Sequence, residues 1–397
     1  MLVGEKNLSN KEKCSGCTAC IFSCPFGALE KTYDEKGFAY PMRNIQKCVN
    51  CGLCLKVCDF KKPASKTSKY NMNFYATQNK NTSILERSQS GGFFSVLCDY
   101  VLSKNGVVCG CEMRDKETIC HSIVGDRINI SKFSGSKYAQ SELNNIFIQC
   151  TQILKNGQYL LFSGTPCQVH GFLSFCNVFN IPTGSLVTCD IVCHGCPSVD
   201  LWRNYIKEVE KRFKKNVKNF NFRNKKYGWE SHIETVLFDD DTEFQIPHKN
   251  NFYNNAMFRD SCYECKYTSI YRDTDFTIGD CWGLNKQDKS FTYRRGVSLS
   301  IVRTEKAHEI FEKIKCDVIF KEIDIEEALQ PQLTRPSLKP QFFDKFWKLY
   351  GKNKMKAIEK YFFPSFINRV ELLFLRVINK IKKFLVKFPK TKNHIAN

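Results

Sequence analysis

Eight cysteines in two matching runs constrain this chain more than any other feature. Cys14, Cys17, Cys20 and Cys24 form the first run, followed by Pro25; Cys48, Cys51, Cys54 and Cys58 form the second, 34 residues later. Both read C-x2-C-x2-C-x3-C, a spacing in which three close thiolates wrap one cubane iron–sulfur cluster and the fourth reaches the neighbouring cube. The spacing therefore predicts one 4Fe-4S cluster on Cys14, Cys17, Cys20 and Cys58, and a second on Cys48, Cys51, Cys54 and Cys24. Structural zinc usually takes two separated ligand pairs, which fits a repeated tight run of four poorly. Disulfides need an oxidising compartment, and Met1 to Lys13 is polar and lacks an apolar signal-peptide core. The expectation is a cytoplasmic protein that handles electrons. One departure stands out: Asp59 follows the second run where proline is common.

The chain has 397 residues, enough for two or three domains. An α+β fold is expected: a small bacterial-ferredoxin-like two-cluster domain over 1–66, a larger α/β domain over 67–335, and a basic helical tail over 336–397. Lys61 to Tyr70 reads as a linker. Beyond it, apolar runs ending in Gly or Pro suit strands buried on both faces: 107–110, 159–162, 186–192 and 276–278. A helix is expected from Gly92 to Ser103. No G-x-G-x-x-G is present, which argues against a standard dinucleotide-binding unit.

The formal net charge is +20. No nucleic-acid motif accompanies it, so no nucleic-acid partner is expected. From Gln341 onward there are 14 Lys and Arg against 3 Asp and Glu, so much of the excess lies in the tail. Apolar residues from Val370 to Phe388 recur at helical spacing between basic ones, an amphipathic cationic helix too interrupted to span a bilayer. Residues 365–397 have two readings: peripheral contact with an anionic membrane at its inner face, or packing on a protein.

A second constellation lies in the large domain. Cys167 and Cys193 each follow a predicted strand, where ligands of open α/β sheets collect. Cys262 and Cys265 add a C-x2-C loop. These four are candidate ligands of a third cubane, with Cys196 and Cys281 competing for the same places. The other cysteines read as packing residues. Ser90-Gly91-Gly92 opens a helix, where backbone N–H groups can hold a phosphate. Gly164-Thr165-Pro166 makes a similar turn, and Lys137-Tyr138 sets a cation beside an aromatic ring. Together these turns suggest a phosphorylated cofactor, most naturally a flavin, which couples one-electron clusters to hydride chemistry.

At these motifs the chain resembles the coenzyme F-420 hydrogenase/dehydrogenase beta subunit family. The resemblance runs in order through Ser90-Gly91-Gly92, Gly135-Ser136-Lys137-Tyr138, Phe162 to Gln168, Asp190 to Gly195, Phe222-Arg223 with Gly228-Trp229, Cys262 to Cys265, and Thr277 to Gly283. It implies a flavoprotein, binding FAD, with one cubane of its own beside the two in front. Electrons would pass between clusters and flavin, and the flavin would exchange hydride with a soluble small molecule, deazaflavin coenzyme F-420 in the archetype. Bacterial members also occur beside cell-surface polysaccharide genes. Cys281 departs from the family pattern and is left out of the ligand set. His194, Lys137 and Arg223 are candidate catalytic residues, Arg272 a further anion-binding candidate, and Asp280 a candidate for a flavin hydroxyl. A carrier such as ferredoxin is the expected protein partner. The competing readings are a flavin-free electron-transfer adaptor and a membrane-tethered protein that only binds a partner.

Overall fold

A computed structural model of the protein describes residues 11–64, 71–247, 250–252 and 257–363. The end of the expected linker and the proposed membrane helix lie outside the described residues. Among those described, no helix is long and apolar enough to cross a membrane.

The cysteine-rich module is held by one antiparallel hairpin, β1 (Leu29–Tyr33) and β2 (Ala39–Arg43). Two single-turn helices, Ala19–Phe22 and Leu53–Lys56, follow the C-x2-C turns of the two runs. Ala19 and Val57 are fully buried, and both face the large domain rather than a core of the module's own. So small a module buries too little apolar surface to stabilise itself on packing alone.

The large domain centres on an eight-stranded mixed sheet. Its strands are β3 (Asn73–Asn79), β4 (Val107–Met113), β5 (Ile119–Val124), β6 (Leu160–Gly164), β7 (Leu186–Ile191), β11 (Phe276–Asp280), β12 (Ser298–Val302) and β13 (Val318–Glu322). The order is β13-β3-β12-β11-β7-β6-β4-β5. The middle strands β11, β7, β6 and β4 run parallel, and antiparallel strands extend the sheet on both sides. Alternation along each strand feeds two cores. Leu161 joins the Phe93–Ser103 and Glu305–Ile314 helices on one face, while Leu160 and Phe162 join the Ile146–Lys155 and Pro166–Val178 helices on the other. Coverage on both faces explains the nearly unbroken apolar runs in the sequence.

Between β7 and β11 the chain makes the Val199–Phe213 helix and a small sheet of β8 (Val217–Asn221), β9 (Glu234–Phe238) and β10 (Glu243–Ile246). The Phe343–Lys352 and Lys354–Phe362 helices pack onto this unit through Phe346, Tyr350, Ile358 and Phe362, against Trp202 and Tyr205. The first part of the expected tail is thus built into an aromatic core.

Candidate functional site

The module holds two thiol-lined hollows. Cys14, Cys17, Cys20 and Cys58 line one, with Tyr40 and Phe60. Cys24, Cys48, Cys51 and Cys54 line the other, with Phe26, Arg43, Val49 and Leu55. The last cysteine of each run therefore sits with the first three of the other, the exchange that the spacing predicts. Burial above all, and then the neighbouring thiols Cys58, Cys167 and Cys14, push the Cys17 thiol up to about 12. Cys20 is raised by burial and by Cys14, Cys17, Cys58 and Cys54. Thiols crowded in this way become thiolates when a cationic centre offsets their repulsion, which is what an iron core supplies. Among the described residues no group of three His, Cys, Asp or Glu is placed to hold a single metal ion. A cubane makes no such demand, because each thiolate binds a different iron.

The module is fastened to the large domain at charged contacts. Arg259, almost wholly buried, stacks over Phe38 and Tyr40 at 4.9 and 4.7 Å and donates to the Ala39 carbonyl at 3.1 Å and to Gln140 at 2.8 Å. Lys36 pairs with Asp260 at 2.8 Å, and Lys31 with Glu142 at 3.2 Å. Asp59 makes the fourth fastening. Its carboxylate lies 3.0 Å from Lys266 Nζ, accepts the Tyr267 hydroxyl at 2.7 Å, and lies 3.8 Å from His170 Nδ1. Burial raises the Asp59 pKa, but Lys266, Tyr267 and His170 together outweigh it and hold the carboxyl below its usual range. The residue that departs from the expected proline is thus the link between the module and the segment that follows Cys265.

A third group of thiols gathers at the ends of β6 and β7. Cys167 opens the Pro166–Val178 helix, Cys193 and Cys196 follow β7, and Cys262 and Cys265 lie in the Asp260–Glu264 turn and just after it. Burial and the charges of Cys265 and Cys193 raise Cys167 to about 12, and Cys262 is raised by burial and by Cys193, Cys265 and Cys167. Cys193 shifts the other way. The Cys196 thiol bonds to it, and that bond, with the Gly195 N–H and Arg272, outweighs burial and lowers it. Five cysteines thus share a place for which the sequence nominated four. Cys281 is elsewhere, buried among Trp229, Val297 and Leu284. The first hollow abuts this third group: a Cβ on Gly171, in the Cys167 helix, would lie 2.9 Å from Cys17 Sγ.

Beyond the third group a cavity of about 460 Å³ opens at the carboxyl ends of β6, β7 and β11. It is lined by Ser90 and Gly92, by Ser134 to Ala139, by Gly164 and Thr165, by Cys193, His194 and Cys196, and by Arg223 and Asp280. The turns that the sequence singled out separately converge here. Gly92, with φ +79, caps the Phe93–Ser103 helix without a side-chain bond, leaving the first N–H groups of an eleven-residue helix at the cavity wall. Gly91 does not line it. Instead Gly91 N–H donates to Ser298 Oγ at 2.8 Å, holding the turn against β12.

Other candidates have different surroundings from those expected. Thr165 is engaged in a capping box with Gln168, and its hydroxyl lies 3.3 Å from Cys167 Sγ, so it shapes the Cys167 turn. Pro166 is the first residue of that helix and does not reach the cavity. Lys137 donates to the carbonyls of Lys132 and Ser134, both at 2.9 Å, and burial lowers its pKa. It rigidifies the Ser134–Tyr138 turn rather than presenting a free cation. Arg272 is buried away from the cavity, donating to Asp190 at 2.9 Å and to the Ile191, Tyr267 and Ser269 carbonyls. Its role is to brace the end of β7. Arg223 and Asp280 pair at 2.6 Å at the cavity wall, and Trp229 Nε1 donates to the same carboxylate at 2.9 Å. His194 lines the cavity, and burial lowers its pKa.

Several residues in or beside the cavity wall were not candidates in the sequence. His121 bonds Ser163 O and Ser141 Oγ, both at 2.9 Å, and burial lowers its pKa to about 4. Lys225 donates to the Leu85, Ser88 and Ser90 carbonyls at 2.7, 3.1 and 2.6 Å, gripping the serine–glycine turn. Trp282 stacks on Trp229 at 4.6 Å. Cys111 packs against the aromatic core, as expected, and also lines the cavity, whereas Cys316 is exposed rather than packed.

Residues 157–328 match the C-terminal domain of the coenzyme F-420 hydrogenase/dehydrogenase beta-subunit family. Residues 13–62 match the 4Fe-4S dicluster domain. A stretch similar to a 4Fe-4S dicluster domain thus precedes one similar to the C-terminal domain of the beta subunit, each match covering less than half of the chain. The dicluster domain is 41% identical over 49 residues to an uncharacterized ferredoxin of Methanocaldococcus jannaschii, 12% of this chain and 62% of that protein. The chain therefore spans less than two thirds of that relative's length. A solved structure of the F-420-reducing nickel–iron hydrogenase complex from Methanosarcina barkeri is similar at TM-score 0.45 and 18% identity, over 75% of this chain and 93% of that one. The beta-subunit match contains Cys167, Cys193, Cys262, Cys265 and Asp280, and ends before the helices that close the described residues.

Proposed function

We propose that this chain is an iron–sulfur flavoprotein oxidoreductase that moves electrons between the dicluster domain and a flavin in the large cavity. The observation that carries the reading is the unbroken succession of thiol groups. It runs from Cys51 at the surface, through the Cys14–Cys17–Cys20–Cys58 hollow and Cys17 against the Cys167 helix, to Cys193 and Cys196 at the cavity wall. When bound, clusters pass single electrons and a flavin pairs them for hydride exchange.

Each side chain has a task in that reading. The eight dicluster cysteines hold two cubanes, and Cys167, Cys193, Cys262 and Cys265 hold a third, with Cys196 bonding the Cys193 sulfur. The Gly92–Phe93 N–H groups hold a cofactor phosphate, and Lys225 and Gly91 fix that turn in place. Asp280, oriented by Arg223 and Trp229, meets a hydroxyl or ring edge of the flavin. His194, kept neutral by burial, holds or accepts a proton at the cavity wall. The small molecule exchanging hydride is coenzyme F-420 or another soluble acceptor, the latter in a cell-surface polysaccharide pathway, which is where the family resemblance places its bacterial members.

Anaerobic purification tests the reading. Three cubanes give about 12 iron atoms per chain and two give about 8. Replacing Cys167 with Ser should remove about 4, while Cys281→Ser should remove none. Flavin should be released by heat or acid in about one equivalent. Full iron with no flavin would favour an electron-transfer adaptor, and a colourless preparation would refute the proposal.

A further inference from the structure

The Cys24–Cys48–Cys51–Cys54 hollow differs from the other two thiol groups in its surroundings. In the first hollow Cys17 abuts the Cys167 helix, and the third group lies within the large domain; among these thiol groups Cys51 alone is exposed. Its rim is unusually apolar for a surface: Phe26 is 51% exposed, Val49 56% and Leu55 38%, and all three line the hollow itself. Around them the charge is positive. Arg43 lines the hollow, and the exposed Lys47 and Lys56 adjoin the lining residues Cys48 and Leu55. Glu30 is the acid nearest Lys47, at 3.9 Å, but both side chains are more than half exposed, so water and salt leave that pair weak. An apolar centre with a charged rim is the layout of a protein-binding patch, and electron transfer requires close approach to the outermost cluster.

We propose that this face is the docking surface for an acidic one-electron carrier protein. The proposal rests on the functional reading above and adds the identity of the entry point and the charge of the partner. The carrier's acidic residues meet Arg43, Lys47 and Lys56, and its apolar centre covers Phe26, Val49 and Leu55. Each encounter moves one electron from the reduced carrier, which leaves oxidised by one, to the outermost cluster, which is reduced by one. Two encounters deliver the pair a hydride needs. Transient redox complexes use small patches of this kind, and opposite charge raises their rate of encounter.

The experiment uses the full chain with its clusters and a small acidic bacterial ferredoxin as probe. Binding of the oxidised ferredoxin is measured by surface plasmon resonance, and electron delivery from the reduced form by stopped-flow absorbance. Both should weaken steeply between about 0.02 and about 0.3 M salt. The double variant Lys47→Glu, Lys56→Glu should lower binding and second-order rate about tenfold at low salt, and the charge-preserving pair Lys47→Arg, Lys56→Arg should change them far less. Phe26→Ser with Val49→Ser should weaken binding at every salt concentration. Iron content and the rate of reduction by dithionite should match wild type in the two lysine variants, and binding of the Phe26 and Val49 variant is compared per iron-loaded chain because both residues line the hollow. Three results would overturn the proposal: charge reversal without effect, a flat salt dependence, or anionic vesicles binding through these lysines more tightly than ferredoxin does. Wild-type protein lacking iron would instead overturn the functional reading and the surface with it.

Discussion

Asp59 is where the two domains can be pried apart with one substitution. Replacing it with Ala removes the acceptor of the Tyr267 hydroxyl at 2.7 Å and the counter-charge of Lys266 at 3.0 Å. The Asp59 and Lys266 side chains keep 16% and 14% exposure, so the pair is neither fully dry nor a surface bridge. Losing one partner of a dry pair costs about 3–5 kcal/mol, and a surface pair is worth at most about 1 kcal/mol; about 2–3 kcal/mol is the reasonable middle. The cost should be local, because Lys266 also donates to the Asp59 and Lys62 carbonyls and the Arg259 and Lys36 fastenings are untouched. Native-state hydrogen exchange reads it directly. The Lys61 and Lys62 amides, bonded to Cys58 and Asp59 carbonyls, and the Thr268 amide should exchange about 30- to 150-fold faster. Asp59→Asn, which keeps an acceptor but no charge, should fall between. Because the folded carboxyl is held below its usual range, the stabilisation is present above the unfolded-state pKa. It should disappear as pH falls through the folded one, in the acid region below about 4. Exchange unchanged in the Ala variant, or lost equally throughout the sheet, would refute the idea of a local clamp.

Other expectations follow from the cavity wall. Arg223→Met leaves Asp280 in a buried position without its ion partner, so flavin retention should fall and the domain should lose about 3–5 kcal/mol, read as flavin per chain and thermal midpoint. Gly91→Ala brings a Cβ within 2.1 Å of the Thr77 carbonyl oxygen and 2.5 Å of Ser298 N, both backbone atoms that cannot swing away. It should cost about 1–3 kcal/mol and disturb the turn that leads into the Phe93–Ser103 helix, which cofactor affinity would register. His121 is held neutral by burial down to about pH 4, whereas an unfolded histidine protonates near 6.5. Wild-type stability should therefore decline as pH falls from about 6.5 to about 4, by roughly 3 kcal/mol. His121→Gln should flatten that decline, and a variant with the wild-type slope would disprove the assignment.

How much of this was legible in the sequence depended on whether the signal was local. The crossed thiol groups were legible because C-x2-C-x2-C-x3-C fixes short-range geometry, and the second cysteine run repeats it. The central strands were legible because burial on both faces leaves apolar runs such as Leu160 to Phe162. The convergence of Ser90–Gly92, Ser134–Tyr138 and Gly164–Thr165 on one cavity was half legible: each turn shows its chemistry, but only the strand order brings them together. The surroundings of Lys137 and Arg272 were not legible for the opposite reason. A cation's partner is invisible in one dimension, and both turn out to hold backbone carbonyls. Lys225 and His121 left no local trace, since they act through contacts distant in sequence; Trp229 and Trp282 stood in two of the quoted motifs, but nothing local showed that they stack on each other.

Asp59 shows how a departure from pattern can carry information. A proline after the last cysteine fixes φ and removes a donor, stiffening the turn from within. Here the Asp59 N–H is not the gain; the side chain is. It converts a turn closed on itself into one held from outside, by Lys266 and Tyr267 immediately after Cys265 and by His170 one turn beyond Cys167. The same contacts that anchor the dicluster domain therefore set the distance between Cys58 and the third thiol group. On this argument the domain orientation and the spacing of the proposed clusters are a single property. Asp59→Ala should then slow electron delivery to the cavity in proportion to the extra opening seen by hydrogen exchange, with all three thiol groups still loaded with iron. Equal rates in a variant whose clamp demonstrably opens would separate the two.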